Sequence, residues 1–209
     1  MDYATAEFGP LQAAKAARDA AFFKGCSRVV DLGCGPGHFL SLLQAQGTPC
    51  YGVDLAPSPS KIAAAVSRAP KVLHMGALEH LRRLKAGQVD GIHCANLLEH
   101  LGVPEARELV ELCSRRISRQ GKLLLSTSNA ACLGVVAGAF WDDDQHVRPY
   151  TARLLRAWAE AAGLEVITCG PDEYSRPQGM ARSMLRTLRR LAVGPFFEAP
   201  ELLLLARGR

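Results

Sequence analysis

The sequence predicts an α/β chain built as a doubly wound, mostly parallel sheet of seven strands, the last antiparallel, in a single domain. Three observations predict it. The short apolar runs Val29–Leu32, Cys50–Asp54, Lys71–Met75 and Val89–Ala95 alternate with stretches of helical character, which is the pattern of repeated βα units. Several of these runs are near-continuous in apolar residues, as strands covered on both faces must be. The 209 residues, 48% hydrophobic and 22% charged, are enough for one large domain and point to neither disorder nor a fibre.

The elements follow in order. Leu11 to Phe23 is alanine-rich with spaced Lys15, Arg18 and Lys24, a good helix by propensity, and Gly25 ends it. Val29–Leu32 is the first strand, a glycine turn follows, and a helix starts from about Pro36. Cys50–Asp54 is the second strand, Ser60–Arg68 a helix, Lys71–Met75 the third strand, Leu78–Lys85 a helix and Val89–Ala95 the fourth strand. Pro104 opens a long helix to about Ser118, with Glu105, Glu108 and Glu111 early and Arg115, Arg116 and Arg119 late, which complements its dipole. Gly121–Ser126 is the fifth strand. The alternation then lapses. Asn129 to Pro149 is an irregular or short-helical insert, Thr151–Ala162 an amphipathic helix ended by Gly163, and Leu164–Cys169 the sixth strand. Residues 171 to 199 form a second insert before the seventh strand, Glu201–Ala206, and both inserts carry too many apolar and aromatic residues to be linkers.

Composition excludes several classes. A net charge of +5 permits an anionic partner without requiring one. No run of aromatics interleaved with clustered Lys and Arg marks an RNA platform, so no nucleic-acid partner is expected. The seven cysteines form no Cys-x-x-Cys pair and mostly sit in apolar runs, which fits free thiols in a reducing cytoplasm. The N-terminus lacks a basic leader followed by an apolar core. The longest apolar stretch, Ala130 to Trp141, is about twelve residues against the roughly twenty that span a bilayer, so a soluble, cytoplasmic protein is expected.

The most informative stretch is Val29-Val30-Asp31-Leu32-Gly33-Cys34-Gly35-Pro36-Gly37-His38-Phe39-Leu40, a strand, a turn and a helix start. Its three glycines let the backbone turn sharply and approach a ligand without Cβ clashes, and the following helix points free N–H groups at an anionic end. Asp54 lies 21 positions beyond Gly33 at the end of the second strand, where an acidic residue reaches ribose hydroxyls. A dinucleotide fingerprint, Gly-x-Gly-x-x-Gly, would need glycine where His38 stands, which argues against a nicotinamide cofactor.

The pattern Asp31-x-Gly33-x-Gly35-x-Gly37 resembles the first motif of class I S-adenosylmethionine-dependent methyltransferases. Four more stretches resemble the same family in the same order. Val89-Asp90-Gly91-Ile92-His93-Cys94-Ala95-Asn96-Leu97-Leu98-Glu99-His100-Leu101 is similar to its fourth strand, and Ile117 to Asn129 to its next turn and strand. Gln145-His146-Val147-Arg148-Pro149-Tyr150-Thr151 looks like the start of its penultimate helix, and Ala161-Ala162-Gly163-Leu164-Glu165-Val166 like its helix-Gly-strand. The resemblance covers roughly residues 28 to 170 and is closest in pattern to small-molecule enzymes that O-methylate quinone precursors. It implies a Rossmann-like methyltransferase fold, S-adenosyl-L-methionine as cofactor and a small organic acceptor, methylated at a hydroxyl oxygen. Two other readings stay open: an RNA or protein methyltransferase on the same fold, or a non-catalytic cofactor-fold binding protein.

The resemblance also assigns residues. Gly33, Cys34, Gly35 and Gly37 should contact the methionine part of the cofactor, with Asp31 near its amino group. Asp54 should take both ribose hydroxyls, because a carboxylate has two acceptor oxygens. Leu55 should lie on the adenine face or be an ordinary core leucine. The family often has an acidic residue after the third strand, whereas this chain has Ala77, so adenine is read by backbone around Ala77 and Leu78 or by Glu79 reaching back. Asn96 is a cofactor contact or a turn residue, and Glu99 a solvated charge at a helix start.

An acceptor hydroxyl must lose its proton during methyl transfer, and a neutral imidazole suits that task. His100 and His146 are the candidates, while His93 and His80 carry no assigned role. No metal site is expected. Asp142-Asp143-Asp144 reads as a solvated loop, because consecutive residues in regular structure cannot all face one ion. The inserts 129–150 and 171–199 are expected to cover the substrate. Within the second, Met180, Met184, Leu188 and Leu191 recur at helical spacing beside Arg182, Arg186, Arg189 and Arg190, a basic amphipathic pattern that packs on the sheet, covers the pocket or touches an anionic membrane through 180–191.

Overall fold

The computed structural model describes residues 9–55, 71–175 and 198–209, together with 184, 185, 187, 188, 191 and 192. The expected helix Ser60–Arg68, and Met180, Arg182, Arg186, Arg189 and Arg190, lie outside the described residues. The elements are α1 Pro10–Phe22, β1 Val29–Leu32, α2 His38–Ala45, β2 Cys50–Asp54, β3 Val72–His74, α3 Ala77–Arg83, β4 Val89–Ala95, α4 Val103–Arg116, β5 Ile117–Ser128, α5 Leu133–Val136, α6 Ala152–Ala161, β6 Glu165–Pro171 and β7 Glu201–Arg207. Among the described residues there are also short 3₁₀ turns at Leu98–His100, Ala139–Asp142 and Glu173–Ser175.

The seven strands form one sheet in the order β3-β2-β1-β4-β5-β7-β6. β1 to β5 pair in parallel, and β7 runs antiparallel between β5 and β6. The expected fold class therefore holds, including the antiparallel direction of the last strand. Alternation along β1 decides which layer each residue joins. Val30 and Leu32 face a core with Leu81 of α3, Leu109 and Val110 of α4 and Leu155 of α6. Val29 faces the opposite core with Ala20 of α1, Phe23, and Phe39 and Leu43 of α2.

Two element boundaries differ for physical reasons. α2 begins at His38 rather than near Pro36, because Gly37 holds a left-handed conformation, φ 81°, that no helix interior accepts. β5 begins immediately after α4, not at Gly121. Ile117 already pairs with Val89, and the register then jumps to Lys122 opposite Gly91. The intervening residues make a bulge in which Gln120 takes φ 63° and donates its N–H to the Gly208 carbonyl at 2.8 Å. α6 starts where expected, with the Thr151 Oγ1 accepting the Leu154 N–H at 3.3 Å.

Register brings the site together. Leu32, Val53, Leu73, Cys94 and Leu125 occupy one row across the parallel strands. The residues just beyond that row, including Gly33, Asp54 and Asn96, therefore emerge along one rim, the carboxyl edge where open α/β sheets bind ligands. Among the described residues, no helix is long and apolar enough to cross a membrane.

Candidate active site

The glycine loop after β1 is left-handed at all three glycines, with φ 73° at Gly33, 49° at Gly35 and 81° at Gly37. Each such residue would cost a non-glycine roughly 1–2 kcal/mol, which is why this loop needs the residue type it has. The turn is pinned to β2. Gly33 and Cys34 both donate N–H groups to the Val53 carbonyl, at 2.8 and 3.2 Å, and the Gly35 N–H donates to Asp54 Oδ2 at 2.7 Å. Gly52 permits this close approach, since a Cβ there would lie 2.5 Å from Cys34 Sγ.

Asp54 thus serves the loop with one carboxylate oxygen. Among the described residues its Oδ1 has no protein partner, so an acceptor oxygen remains at the half-buried tip of β2. Beside it, burial first and then the charges of Asp31 and Asp54 push the Cys34 thiol far up, so this buried cysteine is no nucleophile. The carboxylates of Asp31 and Asp54, the smaller contributors to that shift, favour a cationic ligand. A Cβ at Gly35 would meet no atom within 4 Å, so the loop borders open space. A sulfonium-bearing nucleoside with two ribose hydroxyls fits this donor set.

Asp31 is buried, and its Oδ1 lies 2.6 Å from Nδ1 of His93, which stands directly opposite in the β1–β4 register. The His93 ring stacks on Phe39 with centroids 3.7 Å apart. His93 is thus the partner of Asp31, a pairing that only the strand register reveals and the sequence does not. Just beyond β2, Leu55 is 71% exposed, which removes the reading of it as a core leucine. Ala77 and Leu78 are half-buried at the first turn of α3, packed against the core. Glu79 is exposed and pairs with Arg83 one helical turn on. Asn96 is exposed in a left-handed turn, φ 52°, and donates its N–H to the Ser126 carbonyl at 3.0 Å, a conformation asparagine tolerates.

The two candidate bases meet. His100, on the turn after β4, and His146, on the loop before α6, have ring centroids 4.8 Å apart. Glu99 brings them together and is not the solvated charge expected. It is 2% exposed, and its carboxylate accepts the Thr127 and Ser128 hydroxyls at 2.6 and 3.2 Å. Its carbonyl accepts the Val147 and Arg148 N–H groups at 2.7 and 3.2 Å, stitching the two histidine-bearing segments together. Each ring has its tautomer set by a backbone carbonyl, which can only accept. Nδ1 of His146 donates to the Phe140 carbonyl at 2.7 Å, and Nδ1 of His100 to the Gln145 carbonyl at 3.2 Å. Both Nε2 atoms therefore keep lone pairs. His146 also stacks on Phe140. The acidic run is not uniformly solvated: Asp142 and Asp144 are exposed, whereas Asp143 is half-buried against this cluster.

Comparison with known proteins bears on the family and the fold. A family model described as a methyltransferase domain matches residues 5–169. A ubiquinone biosynthesis O-methyltransferase of Xanthomonas axonopodis pv. citri (strain 306) is 30% identical over 174 residues, spanning 77% of this chain and 72% of that protein. One from Xylella fastidiosa (strain 9a5c) is 30% identical over 191 residues, spanning 83% and 76%. Among solved structures, a SAM dependent methyltransferase from Archaeoglobus fulgidus superposes with a TM-score of 0.79 at 23% identity over 95% of both chains. The N-methyltransferase NodS from Bradyrhizobium japonicum WM9, in complex with S-adenosyl-L-homocysteine, gives 0.65 at 14% identity over 97% of this chain and 89% of that one. With a glycine loop, an acidic strand tip and the topology that carries them, the chain belongs to the class I S-adenosylmethionine-dependent methyltransferases.

Proposed function

We propose that this enzyme methylates a hydroxyl oxygen of a small organic acceptor. The observation that carries this reading is the pairing of His100 and His146 at the carboxyl rim, with both Nε2 lone pairs available to act on a hydroxyl. The names of the curated relatives, O-methyltransferases of ubiquinone biosynthesis, support the same acceptor class. The bound cofactor supplies an already activated methyl group, so the protein's task is alignment and exclusion of water. Gly33, Cys34, Gly35 and Gly37 would hold the methionine end, with Asp31, fixed by His93, toward its amino group. Asp54 Oδ1 would hold ribose, and backbone at Ala77 and Leu78 would border adenine beside Leu55, with Asn96 closing the rim. The segment 129–150, with Leu133 and Trp141 exposed, would cover the acceptor together with 171–199.

The test is a panel of phenols, catechols, amines and carboxylic acids with S-adenosylmethionine, scored by S-adenosylhomocysteine release and product mass. The expected product is a methyl ether. Turnover with amines alone, or with RNA or protein alone, overturns the reading. A second reading concerns the partner surface: Met184, Leu185, Leu188 and Leu191 are 66, 47, 55 and 79% exposed, as a helix resting on an anionic lipid surface requires. Arg186→Glu should reduce co-sedimentation with vesicles containing anionic lipid, and equal binding by the two proteins would remove the membrane contact.

A further inference from the structure

We propose that His100, Asp143 and His146 bind a first-row divalent metal ion, with Zn²⁺ as the type, leaving coordination positions open. One donor atom from each residue lies within 4.8 Å of the other two, and all three residues are half-buried. Neighbouring ligands around a tetrahedral zinc are about 3.4 Å apart, so the set closes on an ion by side-chain shifts of about 1 Å.

Proximity alone would not make a site, but the surrounding hydrogen bonds aim every ligand. The Phe140 and Gln145 carbonyls hold the Nδ1 hydrogens of His146 and His100, which leaves Nε2 of each ring as the ligand atom. The Gln145 N–H donates to Asp143 Oδ1 at 2.9 Å and turns Oδ2 toward His146 Nε2, 4.0 Å away. That separation is too long for a hydrogen bond and suits two ligands with an ion between them. The segments themselves are fixed, because the Glu99 carbonyl binds the backbone beside His146 and the Glu99 carboxylate is buried under the turn that carries His100. Two imidazoles and one carboxylate with open positions select a borderline transition ion over Ca²⁺ or Mg²⁺, which prefer all-oxygen sites.

Adjacent to the carboxyl rim, the open positions can take an acceptor oxygen and make its proton more acidic; with the ion bound both Nε2 lone pairs are ligands, so that proton leaves to solvent and not to either histidine. That role rests on the proposed hydroxyl acceptor, whereas ion binding does not.

The experiment uses the full chain without a histidine tag, stripped with a chelator and titrated with Co²⁺ while visible absorption is followed. Wild type should bind one equivalent with the intense d–d bands of a low-coordinate nitrogen–oxygen site, and Zn²⁺ should displace it. His146→Gln and Asp143→Asn should weaken Co²⁺ by about tenfold or more, scaled to what even indirect ligand partners contribute. Asp142→Asn, one residue away and exposed, should bind like wild type. Circular dichroism of each variant separates ligand loss from unfolding. Absence of the bands in wild type, or equal affinity in Asp143→Asn and Asp142→Asn, overturns the site even if hydroxyl acceptors are methylated. Co²⁺ binding that tracks the three ligands upholds it even if the acceptor proves to be an amine.

Discussion

Asp54 is proposed to carry two tasks on one carboxylate: Oδ2 holds the glycine loop through Gly35, and Oδ1 would take the ribose hydroxyls. Removing it should therefore loosen the loop and delete the ribose acceptor together. Asp54→Ala is expected to weaken S-adenosylmethionine binding by roughly 1–3 kcal/mol, the range for losing a charged hydrogen-bond partner, as measured by isothermal titration. Unchanged affinity would remove the ribose assignment. At this scale some residues were readable in the sequence and others were not. The three glycines could be identified because their positive φ angles demand glycine, a local property that leaves a local trace. The pairing of Asp31 with His93 spans 62 positions and exists only through register. Glu99 looked like a surface charge because its partners, Thr127 and Ser128, lie on another strand.

Elements were legible where their signals are periodic and obscure where pairing decides them. The strands β1, β2 and β4 and the helices α1, α4 and α6 fall within a residue or two of expectation, because apolar runs, Pro104 and Gly163 mark them in the chain itself. The bulge that opens β5 leaves no periodic mark, since it reflects how β4, β5 and Gly208 share hydrogen bonds. How α3 docks on the sheet is equally hidden and carries a pH signature. His80 of α3 is buried and lies 2.9 Å from the Tyr51 hydroxyl of β2. Burial first, then the charges of Arg28 and Arg83, hold its pKa below the ordinary histidine value. The folded protein thus binds fewer protons at His80 than the unfolded chain. The stabilisation is complete above about pH 6.5 and is lost as pH falls through the lowered folded value. Denaturation curves from pH 7.5 down to about 5 should show wild type losing more stability than His80→Gln, which keeps a polar partner for Tyr51 but cannot titrate. Parallel pH dependences in the two proteins would contradict the assignment.

Across the whole molecule, both faces of the sheet pack a core while the glycine loop lies at its carboxyl edge, and two buried glycines bear on these separately. Gly52 sits in β2 under the glycine loop, where a Cβ would stand 2.5 Å from Cys34 Sγ and 2.6 Å from Leu40 Cδ1. Gly91 sits in β4, where a Cβ would stand 2.8 Å from Val29 Cγ2 and 2.9 Å from the Phe23 ring, beneath α1. Either alanine overpacks a close-packed interior, so each substitution should destabilise the fold by roughly 1–3 kcal/mol. Their effects on the cofactor should differ. In Gly52→Ala the least constrained neighbour is the loop itself, which is held to β2 by the Gly33, Cys34 and Gly35 N–H groups, so relief of the clash lifts those donors off Val53 and Asp54. In Gly91→Ala the strain falls on the packing of Phe23 and Val29, away from the loop, although Phe23 does touch the His93 ring edge-on. Melting curves and titrations with S-adenosylhomocysteine on both variants should show comparable losses of stability but a fall in affinity that is severalfold larger for Gly52→Ala. Equal affinities at equal destabilisation would mean that the loop is held by its own turn geometry and not by its seat on β2.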